Sequence, residues 1–282
     1  MFETVYVYCE PAFEAGGIES IYQLVDSINN QGGNAVLAFY KPAPGDPIPE
    51  NYKKYNVKWT YNIVYTPKNL LIVPEVWTEW VGLHNIKYAV WWLSVDNNGS
   101  KFKDFDKDIL HFYQSNYALA HLLKNNCKYM LPLFDYIYDT SYVPTQKRGI
   151  VCYNPIKGFE TTKQIIAKLP DIEFVPLQNM SHKQVLNTLC ESKVYIDFGN
   201  HPGRDRIPRE ATIKNNVVIT NKRGSANYFN DVVIPDNLKM QDGDIKDSIT
   251  NYSSKLNAGN LYRKIINNQK AELHNQSKQY FL

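Results

Sequence analysis

Three arginines, Arg204, Arg206 and Arg209, stand close together in the stretch GNHPGRDRIPREA. Planar guanidinium forks at such density are the chemistry that a multiply charged anion such as a diphosphate requires. Pro202, Gly203 and Pro208 frame the cluster, and the prolines restrict the backbone, so less entropy is lost in aiming the forks. Anion binding is therefore preferred over the rival reading, a surface network neutralised by Asp205 and Glu210. His201, in the same turn, is a candidate for substrate contact, with a structural role as its alternative. Glu210 has two readings as well: it complements the dipole at the start of a helix ATIKNN, or it accepts hydrogen bonds from ribose hydroxyls. Two further stretches carry similar chemistry. Asn154, Lys157 and Gly158 lie in NPIKG, and Gly224-Ser225 in KRGS, where a glycine would let backbone N–H groups at a helix start approach phosphate oxygens. An ordinary strand-to-helix turn is the plainer alternative for the last.

Each stretch follows a segment that reads as a buried strand: GIVCYN, KVYIDFG and NVVIT. In open α/β sheets ligands sit beyond the carboxyl ends of the strands, so the three loops should converge. The first half shows the same alternation. Thr4 to Cys9 is a strand, Gly16-Gly17 opens an amphipathic helix with Ile18, Ile21, Leu24, Val25 and Ile28 at helical spacing, and Asn34 to Tyr40 is a second strand. After the proline-rich loop 41–50 come strand-like pieces at 69–75 and 88–96 around a helical candidate TEWVGLHN, then a strand at 108–115 and a helix at 116–124. The polar stretch around 140–148 is the linker. Beyond it follow a helix with Phe159, Ile165, Ile166 and Leu169, a strand IEFVPL, a helix opened by Ser181, a strand VVIP at 232–235, and a helical region over 244–274. The pattern predicts an α/β protein of two Rossmann-like domains with parallel sheets facing a central cleft. They span 1–143 and 148–253, and the tail 254–282 either crosses back to pack on the first domain or lies on a membrane surface.

Composition removes other classes. With 44% hydrophobic and 21% charged side chains, 282 residues suffice for a sizeable core. Thirty-one basic residues against 28 acidic give a net +3, too little for a nucleic-acid footprint. No run approaches the roughly 18 apolar residues of a membrane span. Acidic Glu3 and the lack of an apolar run argue against an export signal, so a cytoplasmic protein is expected, with peripheral association at the inner face of the membrane as an extension. Cys9, Cys127, Cys152 and Cys190 include no CxxC pair and read as reduced packing residues. His84, His111, His121, His182 and His274 share no ligand spacing, and no DxD pair follows a strand, so no metal or other cofactor is expected. Trp77 and Trp80, three apart near Glu75, offer an aromatic face for sugar rings or else belong to the core.

PAFEAGGIES, NPIKGFETTKQII and IPREATIKNNVVITNKRGS together resemble GT-B glycosyltransferases of the retaining group with an E-x7-E motif, and YIDFGNHPGRDRIPREA resembles bacterial surface-polysaccharide enzymes of that kind. The resemblance covers nearly the whole chain. It implies a metal-independent, hexosyltransferase-like enzyme that moves a sugar from a nucleotide-sugar donor to a glycan or lipid-linked saccharide acceptor. It further implies that Lys157 contacts the donor diphosphate, Glu210 the ribose, Gly224-Ser225 the phosphates, and that the loop of Gly16, Gly17 and Glu19 lies at the cleft opposite; the aromatic face of Trp77 is assigned to the same acceptor side on its chemistry. There are three departures. Cys152 replaces the usual arginine before the lysine, Pro202 stands where the first glutamate belongs, and Gly-Ser replaces Gly-Gly. Arg204, Arg206 or Arg209 would supply the missing charge, and Arg206 joins Lys157 and Glu210 as an expected catalytic group. An inverting reaction would need a base, for which Glu19, Glu75 and Asp96 are candidates. Two rivals stand beside this reading: a nucleotide-sugar epimerase or hydrolase, and a non-catalytic nucleotide-binding subunit of a polysaccharide assembly complex.

Overall fold

The computed structural model describes residues 2–97, 105–141, 146–240, 265–266 and 268–282. The chain divides into two units, Met1–Tyr136 with Gln269–Leu282, and Ile137–Asn268. In the first unit, seven parallel strands run β1 (Val5–Cys9), β2 (Ala35–Phe39), β3 (Lys58–Thr60), β4 (Leu70–Pro74), β5 (Lys87–Trp92), β6 (Leu110–Tyr113) and β7 (Tyr129–Pro132), in the order β3-β2-β1-β4-β5-β6-β7. VYVYC and LLIVP are apolar almost throughout because both faces of these strands are covered. On one face Val7, Leu37, Ile72 and Trp91 pack on Ile21, Leu24 and Ile28 of α1 (Gly16–Asn30). On the other, Val90 and Trp92 pack on Ala118 and Leu122 of α2 (Asn116–Lys124), whose N-cap Ser115 accepts from the Ala118 amide at 3.0 Å.

Over β2, β1 and β4 that second face is covered by loop residues, with Ile63, Trp77 and Val81 lying against Tyr8, Leu71 and Val73. This corrects the expected helix over TEWVGLHN. A short 3₁₀ stretch, Glu75–Trp80, stands there instead, broken by the non-helical backbone of Trp77. Gly82, with φ +80°, then turns the chain back toward β5. The three-residue β3 gave no strand signal in the sequence.

The second unit holds five parallel strands, β8 (Val151–Tyr153), β9 (Phe174–Pro176), β10 (Val194–Asp197), β11 (Val217–Asn221) and β12 (Lys239–Met240), in the order β12-β11-β10-β8-β9. Helices α3 (Phe159–Lys168), α4 (His182–Glu191) and α5 (Arg206–Ile213) bury Ile165, Leu189 and Ala211 against Val151, Tyr195, Ile196 and Ile219. Ser181 and Gln184 close a reciprocal capping box on α4. Two expectations are corrected. VVIP is buried but is no strand: the Ile234 amide turns back to the Val232 carbonyl, Pro235 has no N–H, and Lys239–Met240 make the pairing with β11 instead. The helix expected to begin after Glu210 begins at Arg206, with Asp205 as its N-cap and Pro208 in the first turn, where a proline costs no hydrogen bond.

Among the described residues one more helix, α6 (Gln269–Phe281), belongs to the first unit. Leu273 and Phe281 enter the core beside α1, the His274 ring nitrogen Nδ1 lies 3.1 Å from the Ser27 hydroxyl, and Gln276 Oε1 accepts from the Phe134 amide at 2.9 Å. Residues 241–264, which hold much of the expected helical stretch 244–274, lie outside the described residues. No helix among the described residues is long and apolar enough to cross a membrane. All five tryptophans sit in the first unit, so their fluorescence reports it selectively. Leu273→Ala should lower the stability of that unit by about 2–5 kcal/mol, read as a leftward shift of the tryptophan-detected urea transition.

Candidate functional site

Strand order locates the site in the second unit. The chain passes from β8 outward to β9 and then returns to β10 on the other side of β8, so the loops after β8 and β10 diverge toward opposite faces and leave a crevice between them. Asn154, Lys157 and Gly158 come from the first loop, and Phe198 to Asp205 from the second. Backbone contact between the loops is close. Gly158, the N-cap of α3, has φ +65°, and a Cβ there would overlap the Phe198 carbonyl. Gly224, with φ +58°, meets the His201 carbonyl in the same way, and the Ser225 amide donates to that carbonyl at 2.8 Å. Asn221, the last residue of β11, donates to the carbonyls of Phe198 and Gly199. The three loops expected to converge therefore do so, through backbone contact that only glycine permits at two positions.

Inside the weave lies a chain of polar groups. Tyr195 donates its hydroxyl proton to Asp197 Oδ2 at 2.9 Å, and the Gly199 amide donates to Asp197 Oδ1 at 3.1 Å. His201, fully buried, places Nε2 4.0 Å from Asp197 Oδ1 and donates from Nδ1 to Asp205 Oδ2 at 2.8 Å. Lys157 reaches the same Asp205 oxygen at 3.1 Å and keeps 34% of its side chain exposed. Burial would pull the His201 pKa down, but the hydrogen bond to Asp205 and the fields of both carboxylates more than reverse this, so the ring holds its proton above the ordinary 6.5. Burial pushes the Asp197 carboxyl up. Asp205 goes the other way: its burial is outweighed by His201 and Lys157, which hold it below the usual 3.8.

The arginines do not form an open fork. Arg209 is 1% exposed and donates to the carbonyls of Arg204 and Asp205, fastening the loop to α5. Arg204 is buried too, and Arg206 Nε stands 3.9 Å from Glu210 Oε1. Glu210, also buried, accepts from Nε2 of His182 at 2.9 Å, a partner at the start of α4 that the sequence did not suggest. Ser225 donates its hydroxyl proton to the Gly203 carbonyl. Lys157 and Asn154 thus present polar groups at the crevice, whereas Arg209 and Ser225 bind the loops to one another.

The residues singled out in the first unit are not gathered in the same way. Glu75 is buried at the end of β4 and accepts from the Leu93 and Ser94 amides and the Ser94 hydroxyl; burial pushes it up to about 7 against those bonds. It ties the ends of β4 and β5 together. Glu19 takes the Tyr55 hydroxyl and pairs with Lys54 at 3.2 Å, and Asp96 accepts from the Tyr117 hydroxyl at 3.0 Å. Gly16 and Gly17 form the first turn of α1, whose N-cap Ala15 makes no side-chain cap. Trp77 lies in the aromatic cluster over β1.

Asp197, His201 and Asp205 are also the one group among the described residues with the spacing to hold a metal ion. The sequence alone does not point to Asp197 and Asp205, because no DxD or HxxxH pattern brings them together; their four-residue offsets meet only through the turn His201–Gly203. Lys157 and the His201 proton already balance the two carboxylates there.

No protein-family model and no curated protein sequence matches the chain. Solved structures do. Sucrose-phosphate synthase from Thermosynechococcus elongatus aligns with a TM-score of 0.69 at 13% identity over 98% of each chain, and HepE from Anabaena in complex with UDP-glucose with 0.67 at 7% over 98% of each. Staphylococcus aureus TarM aligns with 0.57 at 10% identity; that match covers 78% of this chain and 56% of TarM, so the chain spans little more than half of that protein's length. The fold is GT-B: two α/β units, each with a parallel Rossmann-like sheet.

Two outcomes follow. Gly224→Ala forces a Cβ into a left-handed residue against the His201 carbonyl and should lower thermal stability by about 1–3 kcal/mol. Because the folded pKa of His201 is raised, its contribution is complete below 6.5 and fades as pH rises through the folded value; that of Asp205, whose pKa is depressed, is complete above 3.8 and fades on acidification. His201→Gln should therefore cost most stability between pH 3.8 and 6.5 and progressively less at alkaline pH, in melting curves taken across the range.

Proposed function

We propose that the chain is a glycosyltransferase that takes a sugar from a nucleotide-sugar donor bound at the β8/β10 crevice of the second unit. One observation carries the reading: Lys157 stands at the topological switch of that sheet, oriented by the half-buried carboxylate of Asp205, with 34% of its side chain open to solvent. As the glycosidic bond to the donor breaks, negative charge grows on the departing diphosphate. A fixed ammonium beside that charge stabilises the transition state more than the ground state, and loss of one such donor typically lowers turnover by about 10²–10³. The backbone at Gly224-Ser225 and Asn154 would border the phosphates, and Glu210, held by His182, would receive the ribose hydroxyls after exchanging that partner. Arg206 reaches the reaction through Glu210, and Arg204 and Arg209 through the shape of the loop.

The acceptor, in this reading, is a glycan or lipid-linked saccharide bound by the first unit, in surface polysaccharide synthesis on the cytoplasmic side. Transfer proceeds without a metal, since Lys157 takes the part of a cation on the leaving group. Should the reaction invert the anomeric centre, Glu19 or Asp96 suits the base better than Glu75, whose oxygens are taken up by the β5 end.

Lys157→Ala should lower sugar transfer about 10²–10³-fold in a protein that still folds, and a chelator should leave the wild-type rate unchanged. Equal rates in the variant would dismiss the site. Activity lost to chelator and restored by a divalent ion would instead assign Asp197, His201 and Asp205 as ion ligands. Donor breakdown that needs no acceptor would favour an epimerase or hydrolase, and donor binding without turnover a binding subunit.

A further inference from the structure

Beneath the crevice of the second unit one buried atom has no hydrogen-bond partner: Nε2 of His201, on a side chain with no exposed surface. Buried imidazole nitrogens are normally bonded, and an unbonded one costs free energy that a further partner would recover. Asp197 Oδ1 faces it across 4.0 Å. That gap is too long for a hydrogen bond and matches two ligand bonds of a zinc-like ion, each roughly 2.0–2.2 Å.

Both atoms stand on side chains that are held from behind. The other ring nitrogen, Nδ1, donates to Asp205 Oδ2 at 2.8 Å and so turns Nε2 toward Asp197. Asp197 in turn accepts from the Tyr195 hydroxyl at 2.9 Å and the Gly199 amide at 3.1 Å. A carboxylate behind the imidazole and hydrogen bonds behind the carboxylate are what metal ligands require of their surroundings. The way in is beside Asp205 and Lys157, whose side chains are 19% and 34% exposed. Charge permits an ion as well. The two carboxylates now face one positive charge on His201 and one on Lys157. A divalent ion on a neutral imidazole supplies two by itself, sends the His201 proton to solvent and leaves the Lys157 ammonium surplus. A nitrogen paired with a carboxylate oxygen selects zinc, cobalt or nickel over magnesium and calcium, which prefer oxygen alone.

We propose that His201 Nε2 and Asp197 Oδ1 form a binding site for a divalent ion of the zinc type, with Asp205 behind the imidazole and water from the crevice in the remaining positions. The ion takes no part in sugar transfer, and Lys157 opposes its entry. The site stands on these residues alone, apart from the transfer reading above.

The test titrates Zn²⁺ and Mg²⁺ into chelator-stripped, untagged whole protein by calorimetry, records visible spectra with Co²⁺, and measures nucleoside-diphosphate binding separately. Zn²⁺ should bind at least about a hundredfold more tightly than Mg²⁺, and Co²⁺ should develop visible absorption. His201→Gln should abolish both signals, whereas His84→Gln, at an exposed histidine, should keep them. Asp205→Asn should weaken Zn²⁺ about 10–100-fold by removing the carboxylate behind the ring. Lys157→Met, at a partly exposed side chain, should strengthen it about tenfold by removing the opposing charge, which tests the arrangement even if the His201 variant does not fold. Zn²⁺ binding without nucleotide binding would retain this site and remove the donor site. The inference falls if Zn²⁺ does not bind the folded protein, if Mg²⁺ binds as tightly, if folded His201→Gln binds Zn²⁺ as wild type does, or if Lys157→Met leaves the affinity unchanged.

Discussion

The carboxylate of Asp205 is where the second unit's carboxyl edge is decided. It receives Lys157 from the loop after β8 and His201 from the loop after β10, at the residue that precedes the first turn of α5. Two loops that leave the sheet in opposite directions are joined at one oxygen atom. Without that anion the ammonium and the imidazolium would face each other with nothing between them. Two carboxylates, Asp197 and Asp205, face two cationic groups, His201 and Lys157; Asp197 and His201 are buried and the other two partly so, and such pairs add little net stability once desolvation is counted. Their effect is geometric: they hold a lysine at a crevice without using up its charge.

Much of this was legible in the sequence, for reasons that can be stated residue by residue. Parallel strands covered on both faces are written as uninterrupted apolar runs, so VYVYC, LLIVP and VYID could be read directly, and loops following such runs had to meet at one edge. Short edge strands carry no such signature, which is why Lys58–Thr60 and Lys239–Met240 were invisible. VVIP misled because burial and strand pairing usually coincide, and here a turn at Ile234 separates them. In the site, Lys157 and His201 stood out by type and position. Asp205 looked like a mere counter-charge to its arginine neighbours, and its real partners lie 48 and four residues away.

The arginine cluster shows the limit of reasoning from residue type. Three forks in a rigid loop suggest an anion, yet a guanidinium can also satisfy backbone carbonyls, and Arg209 does so. Choosing between the two requires the start of α5, which falls inside the cluster and turns Arg209 inward. Glu210 is repositioned by the same shift, from a helix start to the middle of the helix, where His182 of the neighbouring α4 reaches it.

The first unit is discontinuous along the chain, and this bears on how the protein is made. Strands β1 to β7 and helix α1 are complete by Tyr136, but the core beside α1 is closed by Leu273 and Phe281, which leave the ribosome only after the whole intervening unit. During synthesis the earlier portion waits with an apolar groove uncovered, while Ile137–Asn268 can fold behind it as a continuous piece. The nascent chain therefore acquires the sheet of its second unit first in finished form, and the half begun earliest is the last to be sealed.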